Sequence, residues 1–318
     1  MGLHRPPNQR SRTETGVGSL GRIAATTAPP ARPTSSRHHG RHYRPLRAGG
    51  LAATRPGKHD LSRAGQRPRH HRIGAGFAPQ HVANVKRLAR ELYFDGLAII
   101  RVQDNYVVQW ADPNAETPAA ARPIRTGQKT LPPEFDRALD PQIPFTRLPD
   151  GDVYAPEVGF SDGFPIARDP RNGRMWLVHS YGMVGAGRDN PADSGGGTEL
   201  YAVIGQAPRH LDRNVTLLGR VLQGMELLSA LPRGPGPMGF YDRAEQRIPI
   251  RAMRVAADVP ERDRVPVQVM RTDTATFQAL VESRRNRPEE WFKVRAGRIE
   301  IANVPVPVRK ATGGGRSR

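Results

Sequence analysis

Residues 98–113 read AIIRVQDNYVVQWADP. Two short apolar runs flank a polar turn at Gln103-Asp104-Asn105, the pattern of a β-hairpin. Arg101 sits inside the first run and Gln109 inside the second. Polar residues in a half-buried strand ordinarily face solvent, and taken alone the hairpin says no more than that.

Upstream, FAPQHVANVKRLARELYFDG (residues 77–96) places Val82, Val85, Leu88, Ala89 and Leu92 at helical spacing, with Asp95-Gly96 as the stop. Downstream, residues 114–174 are rich in Pro, Asp and Gly and have little periodicity, so they read as a long irregular insertion. MWLVHS (175–180) and GMVGAG (182–187) read as short strands or strand ends. DNPADSGGGTELYAVIGQ reads as a glycine-rich turn entering an apolar strand. HLDRNVTLLGRVLQGMELLSAL predicts a loop, a strand over Leu217–Val221 and a helix over Met225–Leu231, and RIPIRAMRVAA predicts another strand. Short strands with two separate helices predict a mainly β domain, a barrel or sandwich closed by helices. From about Pro260 an extension follows. In it Thr272 or Asp273 can cap a helix carrying Phe277, Leu280 and Val281, EIANVPVPVRK can be an edge strand, and GGGRSR is a flexible tail.

The chain has 318 residues, 37% of them hydrophobic, with 33 Gly, 31 Pro and no Cys. That length permits one large domain or two modest ones. The missing cysteine excludes disulfides, thiol chemistry and zinc-cysteine sites. No apolar run is long enough to span a bilayer. The net charge of +19 suggests a nucleic-acid partner until its distribution is read. Residues 1–76 hold fifteen Lys and Arg against Glu14 and Asp60, so most of the excess lies in the first quarter. That quarter lacks hydrophobic periodicity and the apolar core of a secretory signal. A disordered basic arm and an RNA-binding tail both fit its composition. Out-of-frame translation fits better. With third bases free, a one-base shift lets His70-His71-Arg72-Ile73-Gly74-Ala75 encode Ile-Ile-Glu-Leu-Ala-Pro, a strand-like string leading into the helix at Phe77.

Other chemistries find little support. Gly195-Gly196-Gly197 has no partner motif for phosphate binding, and a tight loop is the simpler reading. GFSDGF (159–164) departs from a nucleophile elbow because Asp162 precedes the second glycine. His179 and His210 are far apart, with no metal-ligand spacing, and separate structural or surface roles are expected. Asn214-Val215-Thr216 is a formal glycosylation sequon of a kind that arises by chance.

The ordered set of motifs from 77 to 256 resembles the cyclophilin-type peptidyl-prolyl isomerases. YFDGLAIIRVQDNYVVQWADP is similar to that family's segment running from Tyr-x-Gly through Phe-His-Arg-Val to Phe-x-x-Gln-Gly-Gly-Asp-Pro. FAPQHVANVKRL resembles its first helix, GMVGAG its Met-Ala-Asn-Ala region, GGTELYAVIG its Gly-Ser-Gln-Phe-Phe-Ile strand, and HLDRNVTLLGRVLQGM its Trp-Leu-Asp to Gly-Met segment. The resemblance implies an eight-stranded antiparallel barrel capped by two helices, with the site on its outer face. Residues 1–76 would precede that domain and 257–318 would extend it.

By the same resemblance Arg101 matches the catalytic arginine. Tyr106, Val107 and Gln109 match a pocket aromatic, an apolar wall and a backbone-binding amide. Leu200, Tyr201, Leu211 and Val215 match further wall positions, and Gly185 and Ala186 match a peptide-binding ledge. His210 takes the place of a tryptophan and Glu199 that of a glutamine; Ile99-Ile100, Trp110-Ala111 and Val215 also depart from the family pattern. The implied activity is rotation about X-Pro bonds in protein clients, in folding assistance, with no cofactor, metal or covalent intermediate. The implied partners are proline-containing polypeptides, with neither membrane nor nucleic acid, and the implied state is a monomer. Export of an intact family member to the periplasm is implied by resemblance alone. The family barrel also needs a strand before the first helix, and residues 51–76 as written do not supply one. Two rivals remain open: a peptide-binding module that keeps the groove without turnover, and a nucleic-acid-binding protein resting on the basic arm.

Overall fold

The structure is a computed structural model and describes residues 76–310. The expectations for residues 1–75 (basic arm, altered frame, strand before the helix) and for the GGGRSR tail lie outside the described residues.

Helix α1 (Pro79–Arg90) starts with proline in its first turn, where a missing N–H loses nothing, and ends with Arg87 and Arg90 at its negative pole. It is shorter than the spacing suggests. Leu92 falls beyond it in a left-handed turn at φ 63° and is half exposed, so the buried face is Val85, Leu88 and Ala89 without Leu92. The hairpin of β1 (Ala98–Val102) and β2 (Val107–Ala111) follows as the sequence predicts, with Asn105 at φ 51° in its turn.

Residues 114–174 are less irregular than their composition implies. They hold the two-residue strands β3 (Arg137–Ala138) and β4 (Thr146–Arg147), then β5 (Glu157–Ser161), β6 (Phe164–Asp169) and the start of β7 (Arg174–Leu177). GFSDGF is the turn between β5 and β6, with Asp162 at φ 44° and Gly163 at φ 82°, as a two-residue hairpin requires. The segment hides its strands because β6 and β7 are covered on both faces and lack polar alternation.

The remaining strands are β8 (Met183–Ala186), β9 (Leu200–Val203), β10 (Leu217–Arg220), β11 (Ile248–Pro249), β12 (Val267–Val269) and β13 (Val308–Lys310). Of RIPIRAMRVAA only Ile248–Pro249 is strand, and the predicted helix after β10 is α2 (Met225–Ser229). In the extension α3 (Ala275–Asn286) is capped by Thr274, whose hydroxyl accepts from the Phe277 N–H at 3.2 Å. Neither Thr272 nor Asp273 caps it: Thr272 is buried and accepts from the Gly163 N–H, and Asp273 pairs with Arg271. EIANVPVPVRK is a 3-10 turn at Ile301–Asn303 and then β13, which pairs with β12.

Among the described residues the strands form antiparallel sheets in the orders β10-β8-β9-β2-β1-β11, β3-β7-β6-β5-β4 and β12-β13. The first sheet thus shows six strands among the described residues, and the mainly β, antiparallel architecture with few helices is the expected one. One of its faces packs on α1 through Ala186, Leu200 and Leu218, and on the α2 side through Ile99, Val102 and Val108. Its other face carries Val107, Met183, Tyr201, Val203 and Leu217, which pack with Phe164, Ile166, Met175 and Leu177 of the second sheet. The far side of that second sheet, with Phe160, Ala167, Trp176 and Val178, buries Phe277 and Val281 of α3 together with Ile301 and Val304. The insertion and the extension are therefore layers added to one face of the main sheet.

Candidate functional site

β1 and β2 pair so that Arg101 lies opposite Gln109, after an irregularity in register between Ile99 and Arg101. A bulge of this kind re-aims a side chain, and here it turns the guanidinium across the pair. Arg101 Nη1 donates to Gln109 Oε1 at 2.9 Å, Nε donates to the Met238 carbonyl at 2.8 Å, and Nη2 donates to Gln103 Oε1. The guanidinium also lies 5.5 Å from the Tyr106 ring centre and 5.3 Å from that of Phe240. It is held by a planar fork and two aromatic faces, which a lysine cannot reproduce. Burial lowers its pKa, opposed by nearby Tyr106 and Glu199. Arginine starts so high that it stays charged.

Gln109 passes the chain onward: its amide N–H donates to Glu199 Oε1. Glu199 stands where the resemblance puts a glutamine, and burial raises its pKa above the ordinary carboxylate value, against the hydrogen bond from Gln109. Tyr106 forms the side of the site. Its ring stacks on His210 with centres 5.8 Å apart, and its hydroxyl lies 3.2 Å from His210 Nε2. His210 Nδ1 lies 2.8 Å from the Ala207 carbonyl and must donate to it, so Nε2 accepts from the phenol.

The floor is Val107 and Tyr201, both buried. Tyr201 lies opposite Gln109 on one side and Gly185 on the other. Its hydroxyl is 2.8 Å from His179 Nε2, and His179 Nδ1 is 2.9 Å from Asp212 Oδ1. Asp212 also accepts from the His179 backbone N–H and from Arg209. The carboxylate fixes the tautomer: Nδ1 carries the proton, and Nε2 accepts from the phenol. Burial pushes the His179 pKa down and the Tyr201 pKa well up, so both stay neutral. Among the described residues no group of His, Asp and Glu is arranged to hold a metal.

The fold thus brings together Arg101, Tyr106, Val107, Gln109, Glu199, Tyr201 and His210, and Val215 packs against the same apolar cluster. Leu211 ends the 3-10 turn that carries His210. Gly185 lies beside Tyr201, while the Ala186 side chain faces α1. Leu200 is a correction. Strand alternation turns it to the opposite face, fully buried against α1, where it cannot line the site. The expectation of separate structural or surface roles for the two histidines also changes: each touches a tyrosine of this site. Sequence reasoning did not reach Met238 and Phe240, which lie in a Gly- and Pro-rich loop without periodicity. It also missed Asp212, whose partner His179 is 33 positions away.

The glycine-rich turn proves to be internal packing. Asn84 of α1 donates to the carbonyls of Gln128 and Gly196, both at 2.8 Å, and His81 bridges Glu134 and the Gly195 carbonyl. The Gly196 N–H donates to Lys129. Buried polar residues of the helix thus tie the insertion to the turn.

Residues 72–255 match the family model described as "Cyclophilin type peptidyl-prolyl cis-trans isomerase/CLD". The match spans more than half of the chain, which belongs to the cyclophilin-type peptidyl-prolyl isomerase family. Among solved structures, cyclophilin AquaCyp293 from Hirschia baltica aligns at TM-score 0.57 and 24% identity, over 75% of this chain and 85% of its own. That likeness shows a shared cyclophilin fold. A Cryptosporidium parvum cyclophilin-type isomerase, crystallised in the presence of the dipeptide Ala-Pro, aligns at TM-score 0.34 and 12% identity, over 56% of this chain and 85% of its own. No curated protein matches the chain.

Proposed function

We propose that the chain catalyses cis–trans rotation about X-Pro bonds in polypeptide clients, with Arg101 as the catalytic residue. The observation that carries this reading is the immobilised guanidinium beside the Tyr106 ring. The barrier to rotation is about 18–20 kcal/mol because amide resonance must be broken. In the twisted state the prolyl nitrogen regains a lone pair. A guanidinium N–H not used by Gln103, Gln109 or Met238 donates to that nitrogen and favours the twisted state over either planar isomer. Tyr106, Val107, Tyr201, Leu211 and Val215 supply the apolar seat for the ring. The backbone at Gly185 and Ala186 holds the peptide.

Arg101→Ala is expected to fold normally by circular dichroism yet lose about 10²–10³ in kcat/KM on a proline peptide, the scale for removing one preorganised donor. Arg101→Lys is expected to fail as well, whereas Gln109→Ala mainly raises KM. Wild-type rates in folded Arg101→Ala rule out the assignment.

One observation favours a second reading, a peptide-binding module with weak turnover. The Gln109 amide is engaged at both ends, by Arg101 and by Glu199, and so must release one partner to bind a peptide backbone. Peptide binding with no acceleration of isomerisation would select that reading.

A further inference from the structure

Arg220, at the end of β10, lies opposite Met183 of β8 and under the extension. Its Nη2 donates to the Val306 carbonyl at 3.2 Å, and among the described residues no carboxylate pairs with it. An arginine carries five N–H donors, so the rest of this fork is open to water or a ligand. Burial lowers its pKa to about 10, which leaves it charged at neutral pH. Two arginines that tie the extension to the rest of the fold do have acidic partners: Arg209 meets Asp152, Asp212 and Glu300, and Arg285 meets Asp150 and Glu282.

Arg220 lines a cavity of about 350 Å³ where the main sheet, the second sheet and the extension meet. The lining surface is about equally polar and apolar, and Met183, Leu222, Met225, Pro305 and Val306 supply apolar side chains to it. Neither Arg101 nor Gln109 lines it, so it is separate from the isomerase site. A volume of this size suits a small molecule. A partly buried guanidinium beside apolar side chains calls for one negative charge on an apolar body. The planar fork matches a carboxylate with two parallel hydrogen bonds. A phosphate dianion would bring a second charge that no second cation meets.

We propose that this cavity binds a small amphiphilic carboxylate, its head on Arg220 and its apolar tail between Met183, Met225 and the Pro305–Val306 segment. Filling it would tie the extension to β10, because Arg220 already reaches Val306.

The test is calorimetric titration and thermal unfolding of the full chain with sodium octanoate, 1-octanol and sodium sulfate at matched ionic strength. Octanoate is expected to bind saturably and raise Tm, by an amount that grows with ligand concentration. The alcohol, which has the same tail without the charge, and sulfate, which has charge without a tail, are expected to leave Tm unchanged. Arg220→Met is expected to abolish the octanoate response, leave prolyl isomerisation unchanged and hold or raise the ligand-free Tm, since a partly buried charge without a carboxylate partner is removed. Ala302→Phe fills the cavity with Arg220 intact and is expected to abolish the response too. The absence of an octanoate response in the wild type, or an equal response in both variants, overturns the proposal.

Discussion

Glu199 sets the electrostatics of the site. A half-buried carboxylate next to the Arg101–Gln109 pair offsets part of the guanidinium's charge and raises its own pKa through desolvation. An acid whose folded pKa is raised binds its proton more tightly in the native state. It stabilises the fold below the unfolded-state pKa, and that contribution is lost as pH rises through the folded value. Glu199→Gln keeps an acceptor for the Gln109 N–H and removes the charge. The variant is expected to melt higher than wild type at pH 7, with a gain that shrinks toward zero as pH falls below the ordinary carboxylate range. Its kcat/KM is expected to rise, since Arg101 then acts with no anion two side chains away. Urea unfolding at both pH values and an isomerisation assay check the two halves. A constant difference across pH would place the effect in packing instead.

At the level of elements, the β8–β9 pair shows why glycine stands at 185. A Cβ there would lie 2.3 Å from the Tyr201 hydroxyl and 2.4 Å from the ring carbon bearing it. The buried chain Asp212–His179–Tyr201 holds that ring in place, so the phenol cannot swing aside. Gly185→Ala is expected to cost about 1–3 kcal/mol, the scale of overpacking. Adding Tyr201→Leu should recover part of the loss, giving a coupling energy in a double-mutant cycle. Gly219 of β10 meets nothing within 4 Å, and Gly219→Ala should stay within about 0.5 kcal/mol of wild type. Equal losses at the two positions would remove the steric account.

For the molecule as a whole, Arg209 is the joint between layers. Its guanidinium reaches Asp152 of the insertion at 2.7 Å, Asp212 at 3.2 Å and Glu300 of the extension at 3.1 Å. Burial works against its charge, but the Asp152 and Asp212 contacts outweigh burial and raise its pKa. Asp152 and Asp212 are themselves buried, at 1% and 6% side-chain exposure. Arg209→Met leaves both carboxylates without their cation. It is expected to destabilise by about 3–5 kcal/mol, the usual result of breaking one side of a buried pair. Asp212 also fixes the His179 tautomer beneath Tyr201, so the variant should lose isomerase activity below its melting range as well. A loss under about 1 kcal/mol, the range of surface pairs, would show that the joint is solvated.

The sequence by itself determined the hairpin of Arg101 and Gln109, the first helix and the β8, β9 and β10 strands. These features rest on local spacing: period-two and helical patterns, and polar residues at fixed offsets, survive in a linear string. It also placed Tyr106, Glu199, Tyr201 and His210 near one another, through resemblance and not through any local rule. Only the tertiary structure decided that α1 covers the Leu200 face of β9 and leaves the Tyr201 face to the site, that the insertion folds into a second sheet and that His179 and Asp212 support the site floor. Each of these depends on which face is covered by a distant segment. The runs 158–161, 163–167 and 175–177 are buried without interruption and lose the alternation that marks a strand. The His179–Asp212 contact joins positions with no common periodicity, and the Met238 carbonyl reaches Arg101 from a loop 137 residues downstream. A chain encodes such contacts through the sum of its packing, which no single window contains.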